Sequence, residues 1–147
     1  MEVVYWKSKK SFDSRGIFSK IANENSVIAD AHFSFEIKDM FLTTSRANVI
    51  RGMHLQTSNF ASNRIIHVTS GEINDVLVDL RLNDKINQFT EKLGPDSNFD
   101  TVFVPAGIAH GYESLNDSEI IYLSDAPYSK THDIGFNPFS FDYKWLT

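Results

Sequence analysis

Residues 64–80 read RIIHVTSGEINDVLVDL, and their pattern indicates β-structure. The first run, Arg64 to Val68, follows a period of two, which is typical of a strand with one face in a core. The second run, Asp75 to Leu80, has the apolar centre of a buried strand. Gly71 between them marks a turn. The stretch therefore predicts two neighbouring β-strands.

The same signals recur along the chain and predict an all-β protein. Residues 19–31 could hold a turn or two of helix but lack a sustained 3.6-residue period. Short strands with Gly and Pro turns, and without long crossovers, predict an antiparallel jelly-roll barrel with little helix. With 147 residues, we expect one domain spanning 1–147. The further predicted strands are Phe33–Ile37, Asn48–Arg51, Thr101–Val104 and Glu119–Leu123.

Composition argues against several classes of function. A net charge of −5 is unsuited to nucleic-acid binding, which needs a basic surface. The chain has no cysteine, which excludes disulfides, thiolate catalysis and cysteine-ligated zinc. No stretch approaches the length of a membrane span, and residues 1–12 lack the apolar region of a signal peptide. We therefore expect a cytoplasmic protein that does not bind membranes.

Polar side chains of chemical interest are concentrated in a few strand segments. His54 and Gln56 share one face of their strand, and Arg51 joins them only if Gly52 bulges the backbone. One such residue alone is more often structural than functional. Several polar residues inside one barrel indicate a ligand cavity, because burying polar side chains costs more free energy than burying apolar ones. The segments are 51–56 (RGMHLQ), 64–81, and 105–111 (PAGIAHG) followed by Tyr122.

The segment 105–111 resembles the second cupin motif, whose histidine usually binds a metal. The first cupin motif would supply two histidines and a carboxylate, whereas this chain has His54, Gln56 and Arg64 at those positions. An arginine cannot deprotonate and repels a divalent cation. We therefore expect a cupin-like barrel without a metal site.

A histidine, a fixed cation and a tyrosine in one cavity suit proton transfer beside a ketone. A neutral imidazole can remove the proton, and a cation can stabilise the enolate that forms. A tyrosine on the opposite side can return a proton. No cofactor is needed, because the ketone itself acidifies the neighbouring C–H bond.

Over nearly its whole length the chain resembles the dTDP-4-dehydrorhamnose 3,5-epimerase family, whose members are cupin barrels. The resemblance implies epimerisation of a nucleotide-linked 4-keto-6-deoxyhexose, and a homodimer that exchanges N-terminal strands. The matching segments are 12–18 (FDSRGIF), 45–56, 71–81 (GEINDVLVDLR), 103–112 (FVPAGIAHGY) and 121–122.

The resemblance also implies a role for individual residues. His54 matches the general base and Tyr122 the general acid, while Arg64 stands where the family has a lysine that stabilises the enolate. Arg51 and His110 match residues of the sugar site. The remaining matches are Arg15, which reaches the nucleotide phosphates across the dimer interface, and two further pocket residues, Gln56 and Tyr128.

Three departures from the family pattern bear on activity. Arg64 replaces the lysine, and Phe41 replaces an asparagine that contacts the nucleotide. The family orients its histidine base with an aspartate from a C-terminal segment, and we expect that aspartate to be missing because the chain ends at Thr147. Asp79, or failing that Asp75, is our hypothesis for its replacement.

Two alternative functions are compatible with the same residues. The first is a nucleotide-sugar 3,4-ketoisomerase, which would move the carbonyl group. The second is a non-catalytic cupin that binds a sugar nucleotide. A metal-dependent cupin oxygenase is disfavoured by the ligand positions described above.

Overall fold

The computed structural model describes residues 1–22, 35–81 and 86–146. Within these ranges its regular structure consists of twelve β-strands and three 3-10 helices. The strands are β1 (Val4–Trp6), β2 (Lys9–Asp13), β3 (Gly16–Lys20), β4 (Asp39–Ser45), β5 (Ile50–Gln56), β6 (Arg64–Ser70), β7 (Ile73–Asp79), β8 (Asn87–Leu93), β9 (Thr101–Val104), β10 (Ile108–Ser114), β11 (Ser118–Ser124) and β12 (Asp133–Gly135). The 3-10 helices are Ser58–Phe60, Lys130–His132 and Pro138–Ser140.

Ten of these strands form two five-stranded sheets, which we call sheet I and sheet II. Sheet I has the order β1-β9-β6-β11-β4, and sheet II the order β12-β5-β10-β7-β8. All the strand pairs within them are antiparallel. The hairpin β2-β3 stands apart as a two-stranded sheet. The predicted antiparallel jelly roll with little helix is confirmed.

Most of the predicted strands coincide with observed ones. The runs at 48–51, 64–68, 75–80, 101–104 and 119–123 correspond to β5, β6, β7, β9 and β11. In the predicted strand Phe33–Ile37, residues 33–34 lie outside the described residues, and 35–37 are not in a strand. Of the helical stretch 19–31, residues 19–20 belong to β3, and 23–31 lie outside the described residues.

The main core lies between the two sheets. Ile66 and Ile120 from sheet I face Leu77 and Ile108 from sheet II, and all four are completely buried. These side chains occupy alternate positions on their strands, so each strand presents one face to the interior. The same inward faces carry the polar residues of the candidate site.

A second core covers the outer face of sheet II. The residues after β12 run back over that face, and Trp145 packs there against Met53 and Val78. The buried carboxylate of Glu113 accepts a hydrogen bond from the backbone N–H of Leu146 at 3.0 Å. We call residues 136–146 the C-terminal strap. Because of the strap, the central strands of sheet II are buried on both faces.

The N-terminal segment lies at the edge of sheet I, where β1 pairs with β9. Asp100 accepts hydrogen bonds from the backbone N–H and the hydroxyl of Ser8, at 2.8 and 2.6 Å. The Lys7 ammonium donates to three backbone carbonyls in the turn after β8. These contacts hold the base of the β2-β3 hairpin and leave its tip exposed. No helix in the described ranges has the length and hydropathy needed to cross a bilayer.

Candidate active site

A bulge in β5 brings Arg51 and His54 to the same pocket. His54 pairs with His110 and Arg51 with Tyr112, so three steps along β5 match two steps along β10. The extra residue shifts the alternation of side chains by one. Gly52 lies at the bulge with a φ of 93°, a backbone conformation that favours glycine. The bulge that the sequence required for Arg51 to join His54 is therefore present.

The pocket opens between the two sheets and has a volume of about 430 Å³. Sheet II contributes His54 and His110, and sheet I contributes Tyr122 from the facing side. The full set of lining residues is Phe41, Thr43, Arg51, Gly52, Met53, His54, His110, Tyr112, Tyr122, Gly135 and Phe136. A molecule in the pocket would lie between the two imidazoles and the phenol.

The His54 imidazole is paired with a carboxylate. Its Nδ1 atom lies 3.2 Å from Oδ1 of Asp133 in β12. Burial lowers the pKa of His54, and electrostatic interactions with His110 and Arg64 lower it further, whereas Asp133 raises it. The net effect favours the neutral imidazole, which is the form that can accept a proton.

The Tyr122 phenol is buried and fixed by aromatic contacts. Its ring stacks on Phe41 with centroids 4.7 Å apart and planes 8° from parallel, and it meets His110 edge-on at 6.0 Å. Burial raises the pKa of Tyr122 well above its usual value, and the neighbouring Tyr112 and Asp75 raise it further, while Arg64 opposes them. The phenol therefore holds its proton at neutral pH.

Arg64 supplies a buried positive charge beside these groups. Its side chain is 7% exposed, and Nη2 donates a hydrogen bond to the carbonyl of Ile108 at 2.9 Å. Burial lowers the pKa of Arg64, and Tyr122 and Asp75 raise it. A guanidinium remains charged in proteins. Arg64 is not among the lining residues, so it acts on the pocket through its field.

His110 belongs to a second buried histidine–carboxylate pair. Its Nε2 atom lies 2.7 Å from Oδ1 of Asp75, and the other oxygen of Asp75 accepts a hydrogen bond from Tyr5 at 3.2 Å. His110 and Asp75 are at most 1% exposed. Hydrogen bonds fix the orientation of this imidazole at the wall of the pocket.

Arg51 is held in place by hydrogen bonds to sheet I. Its Nε atom donates to the hydroxyl of Ser45 at 2.8 Å, and that hydroxyl lies 2.8 Å from the Tyr112 hydroxyl. Nη2 of Arg51 donates to the carbonyl of Thr44 at 3.2 Å. The guanidinium thus joins the two sheets at one end of the pocket.

Comparison with known proteins identifies the family. The model of the family "dTDP-4-dehydrorhamnose 3,5-epimerase" matches residues 1–145. The chain belongs to this epimerase family. Within it, the chain is 32% identical over 139 residues to the enzyme of that name from Sinorhizobium fredii, covering 91% of this chain and 70% of the relative. It spans only 59% of the length of the Mycobacterium tuberculosis relative, to which it is 30% identical over 80% of this chain.

Solved structures of the epimerase family share the fold. The crystal structure of the Sulfolobus tokodaii enzyme superposes with a TM-score of 0.86 at 25% identity, covering 98% of this chain and 82% of that one. The Bacillus anthracis enzyme, solved with TDP and PPi bound, has a TM-score of 0.82 at 29% identity, covering 95% of this chain and 82% of that one. The cupin-type barrel expected from the sequence is therefore confirmed.

The structure contradicts the hypothesis that Asp79 orients His54. Asp79 lies at the end of β7, where both of its oxygens accept hydrogen bonds from Arg81, at 2.8 and 2.6 Å. The alternative, Asp75, is hydrogen-bonded to His110. The carboxylate that contacts His54 is Asp133, which neither hypothesis named.

The remaining predicted residues lie outside the pocket wall. Gln56 accepts a hydrogen bond from the backbone N–H of Ser129 at 2.9 Å, which fixes the loop before β12. In that loop Tyr128 is 58% exposed, and its hydroxyl donates to Oδ2 of Asp133 at 3.3 Å. Arg15 lies at the tip of the β2-β3 hairpin and pairs with Asp13 on the protein surface, away from the pocket.

Sequence reasoning missed Asp133 and the pocket residues Tyr112 and Phe136. Asp133 begins a strand of three residues, which is too short to show a period. Phe136 follows that strand, and its backbone N–H donates to the carbonyl of Met53 at 2.7 Å. Tyr112 directly follows the segment 105–111, and its parity with His110 was the one available signal.

Proposed function

We propose that this chain is a nucleotide-sugar epimerase working as one cupin-type domain. The substrate is a nucleotide-linked 4-keto-6-deoxyhexose, inverted at C3 alone or at C3 and C5. One observation carries the proposal: His54 and Tyr122 line the same pocket from facing sheets. Inversion requires that a proton leave one face of a carbon and that another arrive on the opposite face.

In the proposed mechanism His54 is the general base. Its neutral imidazole removes the proton from the carbon beside the C4 ketone, and the electron pair of the C–H bond moves into an enolate. The lowered pKa of His54 keeps the imidazole unprotonated at neutral pH. The field of the buried Arg64 guanidinium stabilises the negative charge on the enolate oxygen.

Tyr122 then acts as the general acid. Its phenol gives a proton to the opposite face of the same carbon, which restores the ketone with inverted configuration. Because burial raises its pKa, Tyr122 retains this proton until a strong base such as the enolate forms. Solvent reprotonates the phenolate and removes the proton from His54, so the cycle needs no cofactor.

The nucleotide part of the substrate is inferred from the family. The Bacillus anthracis relative was solved with TDP and PPi bound, which supports a nucleoside diphosphate as the carrier of the sugar. Arg51 and His110 on the wall would contact the sugar, and Gln56 and Tyr128, outside the wall, would contact the substrate from the side of the loop before β12. We place this reaction in the cytoplasm, in the synthesis of deoxysugars for cell-surface polysaccharides such as lipopolysaccharide.

Hydrogen exchange with solvent tests the proposal. The protein is incubated in D₂O with 4-keto-6-deoxyglucose linked to dTDP, and in parallel to CDP, GDP and UDP, and the sugar is followed by proton NMR. An inverted product that carries deuterium at C3, or at C3 and C5, supports the epimerase. The labelled positions show whether one or two carbons are inverted. A 3-keto product would instead identify a ketoisomerase. Binding without exchange would identify a non-catalytic cupin.

We infer in addition that the chain forms a homodimer through the β2-β3 hairpin. Phe12, Ile17 and Phe18 on this hairpin are 71%, 64% and 63% exposed. In the described part of the chain β2 and β3 pair only with each other. An apolar surface of this kind is typical of a protein–protein contact. Such a dimer would bring Arg15 at the hairpin tip towards the second copy.

The mass in solution tests the dimer. Light scattering is expected to give twice the mass of one chain, and the double variant Phe12→Ser/Phe18→Ser is expected to shift the protein towards one chain. The control is Phe139→Ser, which removes an equally large side chain that is 67% exposed after β12. A monomeric parent protein, or a double variant that remains dimeric, would contradict the inference.

A further inference from the structure

We propose that a buried cluster around His67 holds the β2-β3 hairpin against the barrel and releases it at mildly acidic pH. The cluster consists of Ser8, His67, Asp100 and Thr101, and we call it the N-terminal latch. All four residues are at most 7% exposed. The chain passes through Ser8 directly into β2, so the latch lies at the base of the hairpin.

Strand pairing brings the latch together beside Trp6. Thr101 in β9 pairs with Trp6 in β1 on one side and with His67 in β6 on the other. Residues that are directly opposite in neighbouring strands point to the same face of a sheet. This face points away from the main core and the pocket, because His67 alternates with the core residues Ile66 and Val68.

Hydrogen bonds connect the imidazole to the chain that leads into the hairpin. Nδ1 of His67 lies 2.8 Å from Oγ1 of Thr101, and this hydroxyl donates to Oδ1 of Asp100 at 2.8 Å. The same carboxylate accepts the backbone N–H and the hydroxyl of Ser8, at 2.8 and 2.6 Å. Among the described residues β2 and β3 pair only with each other, so side-chain contacts of this kind attach the hairpin.

These contacts fix where a proton can be added. Thr101 has one hydroxyl hydrogen and gives it to Asp100, so its oxygen accepts the hydrogen on Nδ1 of His67. Nε2 of the neutral imidazole is then the atom without a hydrogen, and acidification adds the proton there. The product is an imidazolium in a buried site.

The surroundings of His67 oppose this protonation. Burial lowers the pKa of His67 and outweighs the opposite effect of Asp100, whose Oδ1 lies 3.8 Å from Nδ1. The ammonium groups of Lys10 and Lys7 in the N-terminal segment lower the pKa further. On the neighbouring strand β11 the charged residue is Glu119, whose carboxylate accepts a hydrogen bond from a hydroxyl of β6 at 2.8 Å.

The lowered pKa makes release of the hairpin more favourable in acid. When the latch opens, His67 meets water and its pKa returns to the ordinary value of about 6.5. The open state then binds more protons than the closed state, so the closed state loses stability as the pH falls below about 6.5. Uptake of one proton raises the open fraction by up to about tenfold per pH unit.

The two tryptophans of the chain report on the hairpin and on the barrel separately. Nε1 of Trp6 donates to the carbonyl of Ile21 at 2.8 Å, at the base of the hairpin. Trp145 packs on the outer face of sheet II. In protein labelled with 5-fluorotryptophan, fluorine NMR from about pH 8 to about pH 5 should show the Trp6 resonance moving and the Trp145 resonance unchanged. Nitrogen-resolved NMR of the imidazole should give a pKa of His67 below about 6.5.

Two variants decide whether His67 is the sensor. His67→Gln can still donate to Thr101 but cannot take up a proton, so its Trp6 resonance should not change over this pH range. His132→Gln removes a histidine from the loop before β12 and should keep the response of the parent protein. The proposal is overturned if Trp6 does not respond to pH, if His67→Gln responds like the parent protein, or if Trp6 and Trp145 change together.

Release of the hairpin would also weaken the homodimer inferred above, since the hairpin carries Phe12 and Phe18. Light scattering over the same pH range is expected to show the mass falling towards that of one chain. This consequence rests on the proposed dimer, whereas the latch does not. If the parent protein has the mass of one chain at every pH, the dimer proposal fails, while the fluorine resonances still decide whether the latch opens.

Discussion

Replacing Gly52 by alanine is expected to damage both the fold and the site. The new Cβ would lie 2.5 Å from the carbonyl oxygen of His110 and 2.6 Å from Cα of Gly111. Both are backbone atoms and cannot rotate away. The φ of 93° adds a conformational cost for any residue with a Cβ. Strain of about 1–3 kcal/mol and overpacking of about 1–3 kcal/mol predict a total loss of about 2–6 kcal/mol in the free energy of unfolding.

Gly111→Ala is the matched control, because it adds the same methyl group to the strand on the other side of this close approach. Its Cβ would meet the sulfur of Met53, the mobile end of a flexible side chain, and would lie 3.0 Å from the carbonyl oxygen of Arg51. Gly111 also has no φ in the left-handed region. We expect a cost of about 1–2 kcal/mol for this variant.

Urea denaturation measures both variants, with the midpoint compared at a constant m-value. Turnover in D₂O measures the site, since the bulge sets the positions of both Arg51 and His54. We expect Gly52→Ala to be the less stable of the two by at least about 1 kcal/mol and to lose most of its turnover. A Gly52→Ala variant that is as stable as Gly111→Ala and retains the turnover of the parent protein would contradict these expectations.

Three further predictions concern single side chains. Tyr122→Phe keeps the stack on Phe41 but removes the phenol hydroxyl that acts as the acid. It should lower formation of inverted product by about 100-fold or more while deuterium exchange by His54 continues. An equal loss of product formation and exchange would contradict the role of Tyr122 as the acid. Phe41→Ala removes a stack worth about 0.5–1.5 kcal/mol and should lower product formation more than exchange, whereas Phe41→Tyr should restore it, as measured by the same NMR assay. Burial would raise the pKa of Asp100, but hydrogen bonds from Ser8 lower it overall, so its stabilising effect is complete above the unfolded-state pKa of about 3.9 and is lost as the pH falls further. Asp100→Asn should therefore flatten the loss of stability at acid pH, measured by denaturation between about pH 2 and about pH 5. An unchanged acid limb would show that other carboxylates cause it.

The strands that the sequence predicted are those with a regular apolar pattern. β6 and β9 were located within a few residues, because their alternation or apolar content is clear. β10 was not recognised as a strand, since its sequence IAHGYES has a single β-branched residue and every position is buried. A strand covered on both faces, here by the main core and by the C-terminal strap, shows no alternation.

Those residues of the candidate site that lie in recognisable local motifs could be predicted from the sequence. His54, His110 and Tyr122 were identified from motifs, and the structure brings them to one pocket. The carboxylate partner could not be found in this way, because Asp133 is 79 residues from His54 and the two meet only through strand pairing. The sequence instead favoured Asp79. In the structure that carboxylate accepts hydrogen bonds from Arg81, two residues further along the chain.

The position of β12 makes the active state less stable than the folded state as a whole. This strand has three residues, lies at the edge of sheet II, and is partly exposed throughout. Edge segments of this kind open with a smaller free energy than central strands do. Fraying of β12 would remove the carboxylate from His54 while both cores stay intact. On gentle heating the protein should therefore lose turnover reversibly at temperatures where its circular dichroism spectrum is still that of the folded state.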